Sequence, residues 1–418
     1  MARAFHGWRM VAAGGGIQFL QASLLLQSFG AYVAVLRDAF GWSKTQLSFA
    51  AALHQMEAAV LGPLFGWIID RFGAQGVIRA GVAVLGVGFM LMSRIETLLG
   101  FYGAFVVIAL GSSMCGFMPL NISLIYWFEK KRARALSTLG FGLALGGIAV
   151  PLVAWSMASY GWRPTAFGSG LIILLAGLPL SFVIRGRPHF YGEFVDGEPL
   201  ADTPSRLQAQ KDDDGTRDFT AREALRTPAF WLLSLGHGFA LFVVTAVNVH
   251  AISHLKEGLG YPVEAAALYI MLMTLAQMGG IGIGALTGDR FDKRLICAAC
   301  MVMHMAGLLF LTYATNVAMI VAFAVLHGTA WGLRGPFMQA IRADYFGVSS
   351  IGMILGLSFM IIVVGQIGGP MIAGFLADLT GNYRAGFTVL ALLAGVGSLF
   401  FLFARKPARP STAAASRG

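Results

Sequence analysis

Arg334 is the residue whose position most needs a chemical explanation, because it follows a long apolar run in "HGTAWGLRGPFMQAIRADYFG" at residues 327–347. At about 100° per residue, His327 and Arg334 differ by about 20° around a helix, and Trp331 lies beside them. This helix face offers an imidazole, an aromatic ring and a guanidinium that can hold a carboxylate bidentately. The alternative is that Arg334 caps backbone carbonyls freed where the following Gly-Pro step interrupts the helix.

Glu57 is a second candidate, because it lies in the middle of another apolar run, three residues after His54. A helix places two residues at this spacing on one face. A carboxyl group removed from water can bind and release protons near neutral pH, so this pair is a candidate for proton coupling. The alternative is a polar contact between helices.

Polar residues also recur within the first apolar run, where Gln18, Gln21, Ser28 and Tyr32 form one helical stripe. Such a stripe is costly against lipid, so we expect it to face a cavity; hydrogen bonding between helices is the alternative. Further single polar residues in other apolar runs are candidates for the same substrate site: Asn121, Asn248, His250, Gln277 and Gln366.

Motifs for catalysis are absent from the sequence, which contains no G-x-S-x-G, HExxH or P-loop pattern. Its three cysteines, Cys115, Cys297 and Cys300, lie in apolar runs, where helix packing explains them. The sequence therefore predicts no enzyme, no catalytic residues, no cofactor and no metal site.

Composition indicates a membrane protein, since 12% of the residues are charged against about 25% in soluble domains, and 57% are hydrophobic. The apolar runs are long enough to cross a bilayer as helices and too uniform for barrel strands. The predicted fold is an all-α membrane protein of twelve transmembrane helices. Their approximate ranges are 9–36, 45–69, 76–95, 98–128, 132–160, 164–184, 227–255, 262–289, 293–313, 316–342, 348–378 and 382–404.

The positive charges predict the orientation, because Lys and Arg gather in cytoplasmic loops. With both termini cytoplasmic, 23 of the 30 Lys and Arg residues lie inside, and Arg342 is one of these, as a boundary charge beside Asp344. Six lie outside, and the remaining one is Arg334. This distribution argues against nucleic acid as the reason for the net charge of +10. The cluster "EKKRAR" suits contact with anionic lipid.

A hydrophilic segment around "KDDDGTRD" separates the spans into two sets of six and is predicted to be a mobile linker with a short amphipathic helix. The predicted domains are an N-terminal bundle (1–184), a cytoplasmic linker (185–226), a C-terminal bundle (227–404) and a cytoplasmic tail (405–418). We expect a monomer in the cell membrane, specifically a bacterial inner membrane.

The two halves repeat each other in sequence. "GSSMCGFMP" (111–119) in the fourth span aligns with "GTAWGLRGP" (328–336) in the tenth, which places Phe117 opposite Arg334. The fifth and eleventh spans share a proline and lead to "GWRPTAF" (161–167) and "NYRAGF" (382–387). Two parallel repeats of six spans are typical of secondary transporters that bind substrate between their halves. The two bundles are therefore predicted to be pseudo-symmetric.

These residues resemble the major facilitator superfamily, whose loop signature is present as Gly66, Asp70, Arg71 and Gly73 and in a weaker copy as Asp289 and Arg290. The resemblance implies that these two Asp-Arg pairs act as a conformational latch. A narrower resemblance, to the monocarboxylate and oxalate/formate branch, is carried by "SFGAYVAVLRDAFGWSKTQLSFA" (28–50), "WFEKKRARALSTLGFGLALGG" (127–147) and "GWRPTAF". Members of that branch commonly carry a cation in the eighth span, where this sequence has Gln277.

The expected function is secondary active transport of a small organic anion, specifically a monocarboxylate, by alternating access with the proton as co-substrate. The alternatives are an anion exchanger, an exporter of amphipathic drugs or metabolites, and a sensor that signals through its linker.

Overall fold

The computed structural model describes residues 5–42, 44–197 and 216–411, and these residues are mostly helical. Each of the twelve predicted spans coincides with one helix or with consecutive helical segments. Within this described part, ten helices are long and apolar enough to cross a membrane. The other two spans are residues 6–40, which a π-helical turn interrupts, and Lys44–Phe72.

The chain divides into two compact units, the first of which comprises Met1–Asp214 and Ser350–Gly356. Glycines bring its helices close together, since a side chain at Gly81 would collide with the backbone of Cys115. Its helices are α1 (His6–Gln21), α2 (Phe29–Phe40), α3 (Lys44–Phe72), α4 (Ala74–Met92), α5 (Leu98–Cys115), α6 (Phe117–Trp127), α7 (Arg132–Leu145), α8 (Val150–Tyr160), α9 (Trp162–Ile172) and α10 (Leu178–Val183).

The second unit comprises Gly215–Ser349 and Leu357–Gly418. Its helices are α11 (Ala221–Leu225), α12 (Pro228–Ser253), α13 (Val263–Thr287), α14 (Lys293–Thr312), α15 (Val317–Phe346), α16 (Ile351–Thr380) and α17 (Arg384–Phe403). The first turn of α16 clusters with the first unit, and the rest of this helix belongs to the second.

Local sequence fixes where several helices begin. Thr227 precedes Pro228 at the start of α12, and its hydroxyl accepts a hydrogen bond from the Phe230 amide at 3.3 Å. The Asn316 side chain accepts from the Met319 amide at 3.1 Å at the start of α15. These caps satisfy amides that the first helical turn leaves unpaired.

The repeated segments in the fourth and tenth spans differ in backbone and in burial. The chain leaves helical geometry at Gly116, which separates α5 from α6, whereas α15 continues through Gly335 and Pro336. Phe117 is 40% exposed, but Arg334 at the equivalent position is only 1% exposed. The two halves therefore use the same motif to build different local environments.

The segment before residue 198 is anchored to the first unit. Asp196 is buried and has a left-handed backbone with φ of 60°. Its carboxylate accepts hydrogen bonds from the backbone amides of Glu129, Lys130 and Lys131 at 3.2, 2.8 and 3.3 Å. This end of the predicted linker therefore holds the turn that leads into α7.

The segment after residue 215 is anchored in the same way to the second unit. The Asp218 carboxylate accepts hydrogen bonds from the amides of Val348 and Ser349 at 2.9 and 3.1 Å, in the turn before α16. The expected short helix is α11, and Thr220 and Glu223 form a capping box at its start. The two ends of the predicted linker are therefore each hydrogen-bonded through a carboxylate to backbone amides of their own unit. Residues 198–215 lie outside the described part of the chain.

Candidate functional site

Arg334 lies inside the second unit, on the helix α15. Glycines at 328 and 332 let α15 approach the backbone of α13 at Met273 and Gln277, so the larger side chains of α15 fill other faces. Arg334 is 1% exposed, and its Nε and Nη1 atoms have no hydrogen-bond partner. A buried guanidinium without an anion is costly, and an oxygen-rich anionic ligand would supply the missing partners.

Arg342, two turns further along α15, binds two backbone carbonyls. It is 1% exposed, and it donates from Nη1 to the Met338 carbonyl at 2.7 Å and from Nη2 to the Leu233 carbonyl at 3.3 Å. The prediction that Arg342 is a boundary charge beside Asp344 is therefore wrong. Asp344 instead pairs with Lys293, at 2.8 Å between Nζ and Oδ2.

His327 lies on the same helix and is fully buried. Its Nδ1 is 3.1 Å from the Nδ1 of His304, a fully buried residue of α14 that the sequence analysis did not single out. The signal for this pair was available. A short connection makes α14 and α15 antiparallel neighbours, and the two histidines stand at similar distances from it. Trp331, predicted on the same face, is only partly buried.

The predicted residues of α12 have separate environments. Asn248 is exposed, whereas His250 is partly buried and its Nε2 lies 3.0 Å from the Pro370 carbonyl of α16. His237 is buried and lies close enough to Arg334 and Arg342 to interact with them electrostatically. The glutamines Gln277 and Gln366 are partly buried, and the Gln366 Oε1 has no partner.

In the first unit, the glutamines of α1 differ in their hydrogen bonding. Gln18 is 1% exposed, and neither of its side-chain polar atoms has a partner. Gln21 donates to the carbonyl of Ser112 at 2.9 Å and also to its hydroxyl, so it joins α1 to α5. Asn121 donates to the Phe117 carbonyl of its own helix at 2.6 Å. Of these three amides, Gln18 is the one whose oxygen and nitrogen are both buried without a partner.

Glu57 is partly buried, and its Oε2 accepts a hydrogen bond from the Ser113 hydroxyl at 2.6 Å. Its other oxygen, Oε1, is buried without a partner. His54 lines a small, separate cavity of about 190 Å³ together with Leu25, Leu26, Phe29, Gln55 and Phe105.

The signature residue Asp70 caps the amino end of α16. Its two carboxylate oxygens accept hydrogen bonds from the amides of Gly352 and Met353, each at 2.8 Å. Gly66 permits this approach, since a side chain there would collide with the Gly352 carbonyl. Arg71 is exposed and lies 5.6 Å from the ring centres of Trp67 and Phe72. In the weaker copy of the signature, Asp289 is partly buried and Arg290 is exposed.

The profile described as Major Facilitator Superfamily matches residues 12–303 and 283–418. The chain belongs to the Major Facilitator Superfamily. This facilitator-superfamily chain is 25% identical over 422 residues to "Monocarboxylate transporter 13" of Bos taurus, covering 97% of this chain and 92% of that protein. It is also 25% identical over 401 residues to "Probable sulfoacetate transporter SauU" of Cupriavidus necator, covering 88% and 87%.

Solved structures of the superfamily share its fold. The proton:xylose symporter XylE bound to 6-bromo-6-deoxy-D-glucose has a TM-score of 0.74 at 15% identity, covering 97% of both chains. These similarities confirm the predicted fold of twelve transmembrane helices in two six-helix bundles. They also confirm a multi-pass membrane transporter, not an enzyme, and the resemblance to the monocarboxylate branch.

Proposed function

We propose that this facilitator-superfamily transporter carries a small organic anion of the monocarboxylate class. The single observation that carries the proposal is the buried guanidinium of Arg334, whose Nε and Nη1 lack partners. A carboxylate accepts two parallel hydrogen bonds from a guanidinium and neutralises its charge. The relatives named for monocarboxylate and sulfoacetate transport support the same ligand chemistry, since both names denote organic acids.

Anion binding would stabilise the conformation in which Arg334 is enclosed, and release would follow when the conformation changes. The polar side chains Gln18, Gln277 and Gln366 are proposed to contact the remaining parts of the substrate in the course of this cycle. His327 and Trp331 would border the guanidinium from its own helix.

Proton symport is the proposed form of coupling. Glu57 suits a proton carrier because it is partly buried, uses one oxygen to bind Ser113 and keeps the other unpaired. His54, one helical turn before it, is the proposed neighbour in this step. An exchanger would show uptake driven by internal anion instead of by a pH gradient. An exporter of amphipathic compounds would neither bind nor take up small carboxylates.

Asp70 and Arg71 are proposed as part of a conformational latch, with Asp289 and Arg290 as its weaker counterpart. Asp70 holds the first turn of α16, and this helix continues into the second unit. Any motion that withdraws this turn must break two hydrogen bonds to a carboxylate, which are stronger than bonds between neutral groups.

The topology is proposed from the charge distribution, with both termini in the cytoplasm of a bacterial cell and the protein in its inner membrane as a monomer. The proposed domain boundaries at 184, 226 and 404 follow from the apolar runs and the hydrophilic segment between them. The basic residues around Lys130 and Lys131 would contact anionic lipid headgroups.

A binding experiment tests the substrate class before any transport is measured. Purified protein is melted with C2–C5 monocarboxylates and sulfoacetate, because a ligand that binds the folded state raises the melting temperature. We expect at least one of these acids to stabilise the wild type but not Arg334→Gln. Arg222→Gln removes one exposed charge and serves as the matched control. Equal shifts for Arg334→Gln and the wild type would remove Arg334 from the binding site.

A further inference from the structure

His304 and His327 in the second unit form a hydrogen-bonded pair that can hold a proton. The Nδ1 atoms of His304 and His327 are 3.1 Å apart, so one ring must donate its proton to the other. If both rings are neutral, the acceptor ring carries its own proton on Nε2, and the donor ring has a bare Nε2. Both Nε2 atoms are buried without a partner. The bare nitrogen can therefore accept one additional proton, and the resulting imidazolium remains hydrogen-bonded to its neutral neighbour.

The charges around this pair come from a small set of groups. Arg334 follows His327 by seven residues on the same helix, which places it about 10 Å further along the helix axis and on nearly the same face. The titratable groups that act on Arg334 itself are Cys297 and Cys300 of α14. Arg334 also acts on His237 of α12 and on Arg342 of α15.

Glycines mediate two of the helix contacts in this region. α13 approaches α15 through the backbone of Met273 and Gln277 at the two glycines described above. α17 approaches α14 through Gly395 and Gly397, which contact the side chains of Met305 and Met301. Arg334 is the charged residue of α15 that lies nearest to His327 along the helix.

We infer that the His304–His327 pair is a proton site that becomes loaded when an anion occupies Arg334. This inference rests on the proposed anion transport. It adds a second proton site to the one proposed at Glu57. In the empty state, an imidazolium two helical turns from the guanidinium would place two positive charges in one buried region, which is unfavourable. An anion on Arg334 cancels one of them, so anion and proton enter together as a neutral pair. Because such coupling is reciprocal, the proton also strengthens anion binding.

The first test measures proton uptake on anion binding. Sulfoacetate and L-lactate are added separately to weakly buffered, purified protein at neutral pH, and a pH dye reports the protons removed from solution. We expect at least one proton per bound anion in the wild type, because one additional proton fits the pair and Glu57 is a further proposed site. We expect His304→Gln and His327→Gln each to take up about one proton fewer than the wild type. Proton uptake equal to that of the wild type in both histidine variants would overturn the inference. The uptake lost in Glu57→Gln measures the protons that bind to that carboxyl group.

The second test needs no transported ligand, so it remains informative if neither probe binds. Deuterium exchange at the imidazole C2 position is measured against pH by mass spectrometry for His304 and His327. Arg334→Gln removes the charge in the same way as a bound anion, and we expect it to move both exchange profiles to higher pH. Arg334→Lys keeps the charge and should retain the wild-type profiles, and His189 outside the spans serves as an internal control.

The two tests separate the failure of each proposal. Absence of any shift in melting temperature with the carboxylates would contradict the proposed substrate class. The imidazole exchange measurement would then still test the histidine pair. Unchanged exchange profiles in Arg334→Gln would overturn the coupling between Arg334 and the pair, even if anions bind.

Discussion

The Nδ1 atoms of His304 and His327 lie 3.1 Å apart inside the second unit, where neither ring is exposed. Two neighbouring helices thus share a polar contact in an otherwise apolar interior. Removal of one ring leaves the other as a buried polar group without a partner, which costs about 1–3 kcal/mol.

This relationship predicts non-additive effects on stability. We expect His304→Phe and His327→Phe each to lower the melting temperature in detergent. The double variant should lose less than the two single losses combined, because it leaves no orphaned imidazole. Strictly additive losses would show that the two rings do not interact in the folded protein.

The two carboxylates that anchor the linker ends predict local effects on backbone protection. In Asp218→Ala, the amides of Val348 and Ser349 lose their acceptor, so we expect their hydrogen exchange to accelerate about fivefold or more, equivalent to about 1 kcal/mol. Asp196→Ala should do the same for residues 129–131 and leave 348–349 unchanged. Exchange that stays slow at both turns would contradict the anchoring.

The twelve helices follow from the sequence because each apolar run is long enough to span a bilayer and ends at charged or turn-forming residues. The burial of Arg334 follows for the same reason. The short connection between α14 and α15 could have identified His304 as a neighbour of His327. The anchoring role of Asp218 was missed because sequence spacing within one helix does not identify partners elsewhere in the chain. Asn248 and His250 were each predicted to contact substrate, yet Asn248 is exposed and the Nε2 of His250 lies 3.0 Å from the Pro370 carbonyl. The partners of a helix face depend on packing between helices.

Acid should loosen the start of α11 before it affects the membrane spans. The Arg217 guanidinium, with help from Thr220, lowers the pKa of Glu223 from an ordinary value of 4.5 to about 2. A carboxyl group with a lowered pKa stabilises the fold above its unfolded pKa, and this contribution disappears as pH falls from about 4.5 towards 2. Hydrogen exchange of residues 220–225 should therefore rise over this range. In Glu223→Gln, the amides of residues 220–225 should exchange rapidly at all pH values. If their exchange still rises as the pH falls in this variant, another group causes the acid sensitivity.

Asp70 predicts a change in the conformational cycle. Asp70→Asn replaces two charged acceptor oxygens by one neutral oxygen and an amide, so at least one of the bonds to Gly352 and Met353 is lost. We expect faster hydrogen exchange at these amides and altered transport rates at unchanged expression. Arg71→Gln, at an exposed position, should leave the exchange at these two amides as in the wild type. Unchanged exchange and transport in Asp70→Asn would contradict the latch.

The most direct test of the central claim is uptake of labelled monocarboxylates and sulfoacetate into proteoliposomes containing wild type, Arg334→Gln or the surface control Arg222→Gln. We predict uptake by the wild type and the control, stimulation by an inward proton gradient, and a loss of at least about 100-fold in Arg334→Gln, since a charge-assisted bidentate contact contributes about 3 kcal/mol or more. Equal uptake by Arg334→Gln and the wild type would contradict the assignment of Arg334 as the anion-binding residue.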